Sequence, residues 1–140
     1  MRVVLDTNVL ISALLFKQRL GVFEIFIKTG VLAPCFTVAT FQELKNVLGY
    51  DHLQSYLQRS NLTAAEIIKN LTPHCQFFPD PDKIPKLATH ASDDYILAAA
   101  ATAKAEYLVT GDKGLLSVKM FENIPIIQPQ KLLKIYAQEK

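Results

Sequence analysis

Two short apolar runs, Arg2-Val3-Val4-Leu5 and Tyr107-Leu108-Val109-Thr110, each break off at an acid: Asp6 after the first, and Asp112, one glycine on, after the second. Short apolar runs bounded by a break read as buried strands. Helical patterns fill much of the chain between them. Val9, Leu10, Ala13 and Leu14 fall at helical spacing after Thr7, and a second helix is expected from Leu20 to Lys28, stopped by Gly30. Val31 to Thr37 reads as a strand interrupted by Pro34. Helices follow over Thr40 to Leu48, Asp51 to Arg59 and Thr63 to Leu71, the last opened by the capping box Thr63-x-x-Glu66. Cys75 to Phe78 reads as a short strand, and Pro79-Asp80-Pro81-Asp82 as a turn with two solvated acids. An alanine-rich helix capped by Ser92 or Asp93 runs to about Lys104. Ile124 to Ile127 is a final strand whose Pro125 argues for an edge, and Pro129 opens a C-terminal helix.

Alternation of this kind argues for a mostly parallel sheet with helices on both faces. The 140 residues fit one domain, since domains commonly run to ~100–150 residues. Half the chain is hydrophobic, enough for a core, but no run reaches the ~18 apolar residues of a membrane helix. The early Asp6 argues against a signal peptide, so a cytoplasmic protein without membrane contact is expected. Cys35 and Cys75 form no paired metal-binding motif and read as free, buried thiols.

In a parallel sheet the carboxyl ends of the strands share one edge, where sites form. Asp6 and Asp112 therefore emerge on the same edge, and neither is a core residue, because burying an unpaired carboxylate is costly. Glu43 and Asp94 are open to two readings. Thr40-Phe41-Gln42-Glu43 is itself a capping-box pattern, and Asp93 and Asp94 after Ser92 suit the positive end of a helix dipole. If these four acids converge, their mutual repulsion raises their pKa values, and a hard divalent cation relieves it. Such a cation lowers the pKa of a bound water and makes it a nucleophile toward a phosphodiester. The chain has 15 basic and 13 acidic residues; setting the four acids aside leaves a balance of +6, an acidic pocket on a basic surface. That balance suits a nuclease, and it is equally the charge of an ordinary solvated surface.

Four segments together resemble the motifs of PIN-domain nucleases: Val4-Leu5-Asp6-Thr7-Asn8-Val9-Leu10, Phe41-Gln42-Glu43-Leu44, Asp94-Tyr95-Ile96-Leu97-Ala98-Ala99-Ala100 and Val109-Thr110-Gly111-Asp112-Lys113-Gly114-Leu115-Leu116. Each alone recurs by chance, but here they stand in the family's order. The resemblance implies a three-layer α/β/α sandwich and a ribonuclease dependent on Mg²⁺ or Mn²⁺, with Asp6, Glu43, Asp94 and Asp112 as both catalytic and metal-binding residues. It implies supporting roles for Asn8 and Thr110, an RNA substrate, and the toxin role in a pair with a small antitoxin protein. It also implies a homodimer, with Phe16 and Phe41 as candidate surface residues. One departure is Asp93, which competes with Asp94 for the third position and remains a candidate auxiliary ligand.

Lys113 is a candidate phosphate contact, as are Lys17, Arg19 and Lys45; each is equally an ordinary surface cation. His90, just before the third motif, is the histidine nearest the set. Phe23, Phe26, Phe36 and Tyr107 read as core. Two other functions compete: a PIN-fold binding or regulatory module without turnover, and a phosphatase using Asp6 as nucleophile. The second is disfavoured because Asn8 stands where an Asp-x-Asp pattern needs an acid.

Overall fold

The computed structural model describes residues 1–16, 20–86 and 91–139, with Ala91, Ser92 and Glu139 described by backbone alone. Lys17, Arg19 and His90 lie outside the described residues. The strands are β1 (Arg2–Leu5), β2 (Ala33–Thr37), β3 (Gln76–Phe78), β4 (Tyr107–Val109), β5 (Met120–Phe121) and β6 (Ile124–Ile127). They form one sheet in the order β3-β2-β1-β4-β6-β5, parallel throughout except where β5 pairs antiparallel with β6. The helices are α1 (Thr7–Ile11), continued by a π-helical turn over Ser12–Phe16, then α2 (Gly21–Lys28), α3 (Val38–Leu48), α4 (Asp51–Arg59), α5 (Ala64–Leu71), α6 (Ala91–Ala103), α7 (Lys113–Val118) and α8 (Pro129–Glu139). Among the described residues no helix is long and apolar enough to cross a membrane.

The strand pleat divides the core in two. Val3, Leu5, Phe36, Val109 and Ile127 face one side and pack with Leu10, Phe23, Leu44, Leu57, Leu71 and Leu132 from α1 to α5 and α8. Val4, Cys35, Leu108 and Ile126 face the other and pack with Leu97, Ala100 and Leu115 from α6 and α7. The architecture is therefore the three-layer α/β/α sandwich with a mostly parallel sheet. Phe23 and Phe36 are buried, whereas Phe26 and Tyr107 are half-buried. Cys35 and Cys75 are free thiols, and burial pushes both up, Cys75 to about 12, which keeps them protonated and unreactive.

Four expectations need correction. Ile124–Ile127 is not an edge strand, because β5 covers it. Pro125 is tolerated because it precedes the start of the β4 ladder at Leu108↔Ile126, and the neighbouring Ile126 N–H donates to Lys119 O on the β5 side. The helix expected from Thr40 begins at Val38, where the Thr37 and Thr40 side chains cap it reciprocally. The helix at 91–103 takes Ser92 and Asp93 inside its first turn, not at its cap. Asp80 is exposed but not merely solvated: both its oxygens accept from the Ala39 N–H, at 3.3 and 3.2 Å. That places a negative charge at the positive end of α3 and ties the loop after β3 to that helix.

The chain runs from β1 outward through β2 to β3, then returns past β1 to β4. The sheet order thus reverses between β1 and β4, and parallel sheets form ligand crevices beyond the strand ends at such a point.

Candidate active site

β1 and β4 pair with Leu5 opposite Val109, so the chain leaves the sheet side by side at Asp6 and Thr110. The Asp6 N–H donates to Val109 O at 2.9 Å, which fixes the exit. Thr110 is fully buried. Its hydroxyl donates to Asp6 Oδ2 at 2.6 Å and accepts from the Asp112 N–H at 3.0 Å. A hydroxyl carries one proton and two lone pairs, so one side chain ties both strand-end acids together. Asp112 then caps α7, its Oδ2 accepting from the Leu115 N–H at 2.9 Å.

Glu43 lies in the second turn of α3, clear of the cap, because Thr37 starts the helix early. It is half-buried, and its Oε2 accepts a long hydrogen bond of 3.4 Å from the Thr7 hydroxyl. Asp94 is 7% exposed, on the same buried side of α6 as Leu97 and Ala98. Asp93 is half-buried beside it. The helix α6 packs on β1 and β2 and touches α3, and the charge of Asp93 in its first turn reaches Glu43.

The electrostatics join these acids. Burial is the main cause that pushes the Asp6 carboxyl up; hydrogen bonds from Thr110 and the Thr7 N–H oppose it, and the Asp112 charge adds to it. Burial also pushes Glu43 up, followed by the charge of Asp6; the Thr7 hydroxyl opposes this, and Asp93 adds a further push. The charge interactions thus run from Asp112 to Asp6 to Glu43 to Asp93. An all-oxygen set of interacting carboxylates suits a hard divalent cation. Among the described residues no three Asp, Glu, His or Cys side chains are gathered tightly enough to hold an ion alone.

An open cleft of about 590 Å³ lies over Asp6 and Asp112, lined also by Asn8, Ser12, Gln128 and Gln130. Glu43 and Asp94 are not among the described residues lining it. Lys113 is exposed beside Asp112 and does not line it either. Asn8 does, and is exposed there. Sequence reasoning passed over Thr7, Ser12, Gln128 and Gln130. The signal for Gln128 was present, because it follows the apolar strand Ile124–Ile127 as Asp6 follows β1.

Thr110→Val keeps the shape of a fully buried side chain and removes the shared hydroxyl. It is expected to lower stability at neutral pH by about 1–3 kcal/mol, the usual cost of stripping a hydrogen bond from a charged acceptor. Since the Thr110 hydroxyl holds the Asp6 carboxyl down, the loss should shrink under acid conditions where Asp6 is protonated. Urea unfolding at two pH values measures both, and an equal loss at each would contradict the account.

A family model described as PIN domain matches residues 2–114. No curated protein matches the chain. Among solved structures, the chain is similar in fold to one from the crystal structure of VapBC2 from Rickettsia felis bound to a DNA fragment from their promoter. The TM-score is 0.57 at 14% sequence identity, over 91% of this chain and 98% of that one.

Proposed function

Because the chain belongs to the PIN-domain family, we propose that it is a metal-dependent endoribonuclease acting in the cytoplasm, the toxin of a toxin–antitoxin pair. The observation that carries the reading is the buried Thr110 hydroxyl, which fixes Asp6 and Asp112 together at the reversal point of the sheet. In this reading Asp6, Glu43, Asp94 and Asp112 hold Mg²⁺ or Mn²⁺, with Asp93 as an auxiliary ligand. The bound cation supplies charge neutralisation at the phosphodiester and a lowered pKa for the attacking water. The chain's own groups orient the acids: Thr110 holds Asp6 and Asp112, and Thr7 holds Glu43. Asn8 supports the site from the cleft wall, and Lys113 lies beside it for a phosphate contact.

The toxin role is supported by the fold shared with VapBC2 and implies a small antitoxin partner. A homodimer is supported by exposed apolar side chains on neighbouring helices: Ile25 is 59% exposed, and Phe16, at 37%, pairs edge-on with Tyr56 at 4.6 Å. Phe41 is a poorer candidate, since it is half-buried between Phe36 and Phe77.

The test is cleavage of single-stranded RNA by the purified chain with added Mg²⁺ or Mn²⁺, and again with a chelator. Cleavage is expected with the ions and not with the chelator. Calorimetric titration that detects no ion binding, together with no cleavage, would replace this reading with a PIN-fold module that binds without turnover.

A further inference from the structure

An aromatic cluster and an exposed cation stand outside the acid set. Phe77, on β3 at the edge of the sheet, is 46% exposed. Its ring stacks on Phe36 at 6.0 Å between centroids and meets Phe41 edge-on at 5.0 Å, so two more deeply buried rings hold it in place. Lys45 is exposed and sets its ammonium 5.2 Å from the Phe41 ring centroid. Phe41 and Lys45, four residues apart on α3, share a face of the helix. Glu43 between them points to about the opposite side, where the Thr7 hydroxyl meets it. The aromatic cluster and the acid set are thus separated by one helix, about 10–12 Å across. A further protein strand is a poor occupant of this edge: β3 has three residues, with Pro73 before it and Pro79 directly after it, and short, proline-flanked edges resist pairing. Asp80, the next acid along the chain, is committed to the Ala39 N–H, six residues and about 9 Å along α3 from Lys45.

We propose that Phe77 is a stacking platform for a base of single-stranded RNA, that Lys45 holds a neighbouring phosphate, and that a strand cut at Asp6 and Asp112 crosses α3 to reach them. The proposal rests on the ribonuclease reading. Single strands are gripped by exposed aromatic faces on which bases stack, together with cations that follow the phosphate backbone. A ring already fixed by Phe36 and Phe41 has little freedom left to lose when a base covers it. The Lys45 ammonium lies over the ring that meets Phe77 edge-on, which puts a positive charge beside any nucleotide stacked there. Every base has a face to stack, so this contact fixes the position of the strand and not its sequence.

The chain has no tryptophan, so Phe77→Trp places a single reporter on the platform. Its emission is followed as oligoadenylate is added to the full chain, with a chelator present so that nothing is cut. Saturable quenching is expected as a base stacks on the indole. Anisotropy of the labelled oligonucleotide should show binding about tenfold weaker in Phe77→Leu, which keeps apolar bulk against Phe41 without an aromatic face, and binding retained in Phe77→Tyr. Lys45→Gln should weaken binding at low salt and lower the slope of log affinity against log salt by about 0.7, the share of one phosphate contact on a single strand. Emission indifferent to RNA, or Phe77→Leu binding as tightly as the unaltered chain, overturns the proposal. Emission that shifts with protein concentration and not with RNA overturns it in favour of a second copy of the chain seated on the ring. Should Phe77→Leu fail to fold, the Phe77→Trp emission decides alone. Quenching by RNA without cleavage in Mg²⁺ would leave this proposal standing and remove the ribonuclease reading; cleavage without quenching would do the reverse.

Discussion

Asp6→Asn should all but abolish RNA cleavage while raising the unfolding temperature of the metal-free protein. Asp6 lies at the centre of the acid set: it takes the Thr110 hydrogen bond at 2.6 Å, and its charge interacts with those of Asp112 and Glu43. Losing a carboxylate that positions a divalent cation removes several kcal/mol of transition-state stabilisation, roughly 10²–10³-fold in rate. The stability effect has the opposite sign. An acid whose folded pKa lies above its unfolded value binds its proton more tightly in the folded state. Its contribution is therefore lost as pH rises above the ordinary values of 3.8 for Asp6 and 4.5 for Glu43, and is gone above their raised folded values. Metal-free wild type should thus weaken from acid toward neutral pH, and Asp6→Asn should weaken less, since an amide has no charge to bury. Divalent ions should restore the wild type more than the variant, by the usual ligand linkage. Calorimetric unfolding across that range, with and without Mg²⁺, measures each part. Parallel pH curves for the two proteins would contradict the crowding described here.

The second large effect separates Asp93 from Asp94. Asp94 is buried on the same side of α6 as Leu97 and Ala98, while Asp93 is half-buried and its charge reaches Glu43. Asp94→Asn is expected to reduce cleavage about 10²-fold or more, as expected for a cation-holding acid, and Asp93→Asn about tenfold, as for an outer partner that tunes the site. Both substitutions keep a polar side chain of the same size in the first turn of α6, so folding should survive. Single-turnover cleavage by the two variants gives the comparison. The reverse order would hand the third acidic position to Asp93.

The strand-end acids were legible from sequence alone because their positions follow from topology: any parallel arrangement of the two apolar runs puts Asp6 and Asp112 on one edge. Glu43 was ambiguous because Thr40-x-x-Glu43 is a capping-box pattern that would occupy it at a helix start. Only the fold shows that the earlier threonine wins and leaves Glu43 free of capping. The hairpin joining β5 to β6 was invisible. Its two central residues, Glu122 and Asn123, both have positive φ, at 48° and 66°, and Glu is an unusual choice for such a turn. With that hairpin unseen, Pro125 pointed to an edge that β5 in fact covers. Gln128 was missed because a neutral residue after a strand carries no charge signal, although it occupies the place after β6 that Asp6 occupies after β1.

The hydrogen bond from Thr110 to Asp6 joins residues 104 positions apart, and β1 is completed on that side only by β4. During synthesis Asp6 is made 104 residues before Thr110. A nascent chain that ends before β4 can pair β1 with β2 on one flank, yet it lacks the Thr110 hydroxyl that ties Asp6 to Asp112. Such non-local pairing is also the slow part of folding. The tie between Asp6 and Asp112 therefore forms only after the whole stretch from β1 to β4 has been made.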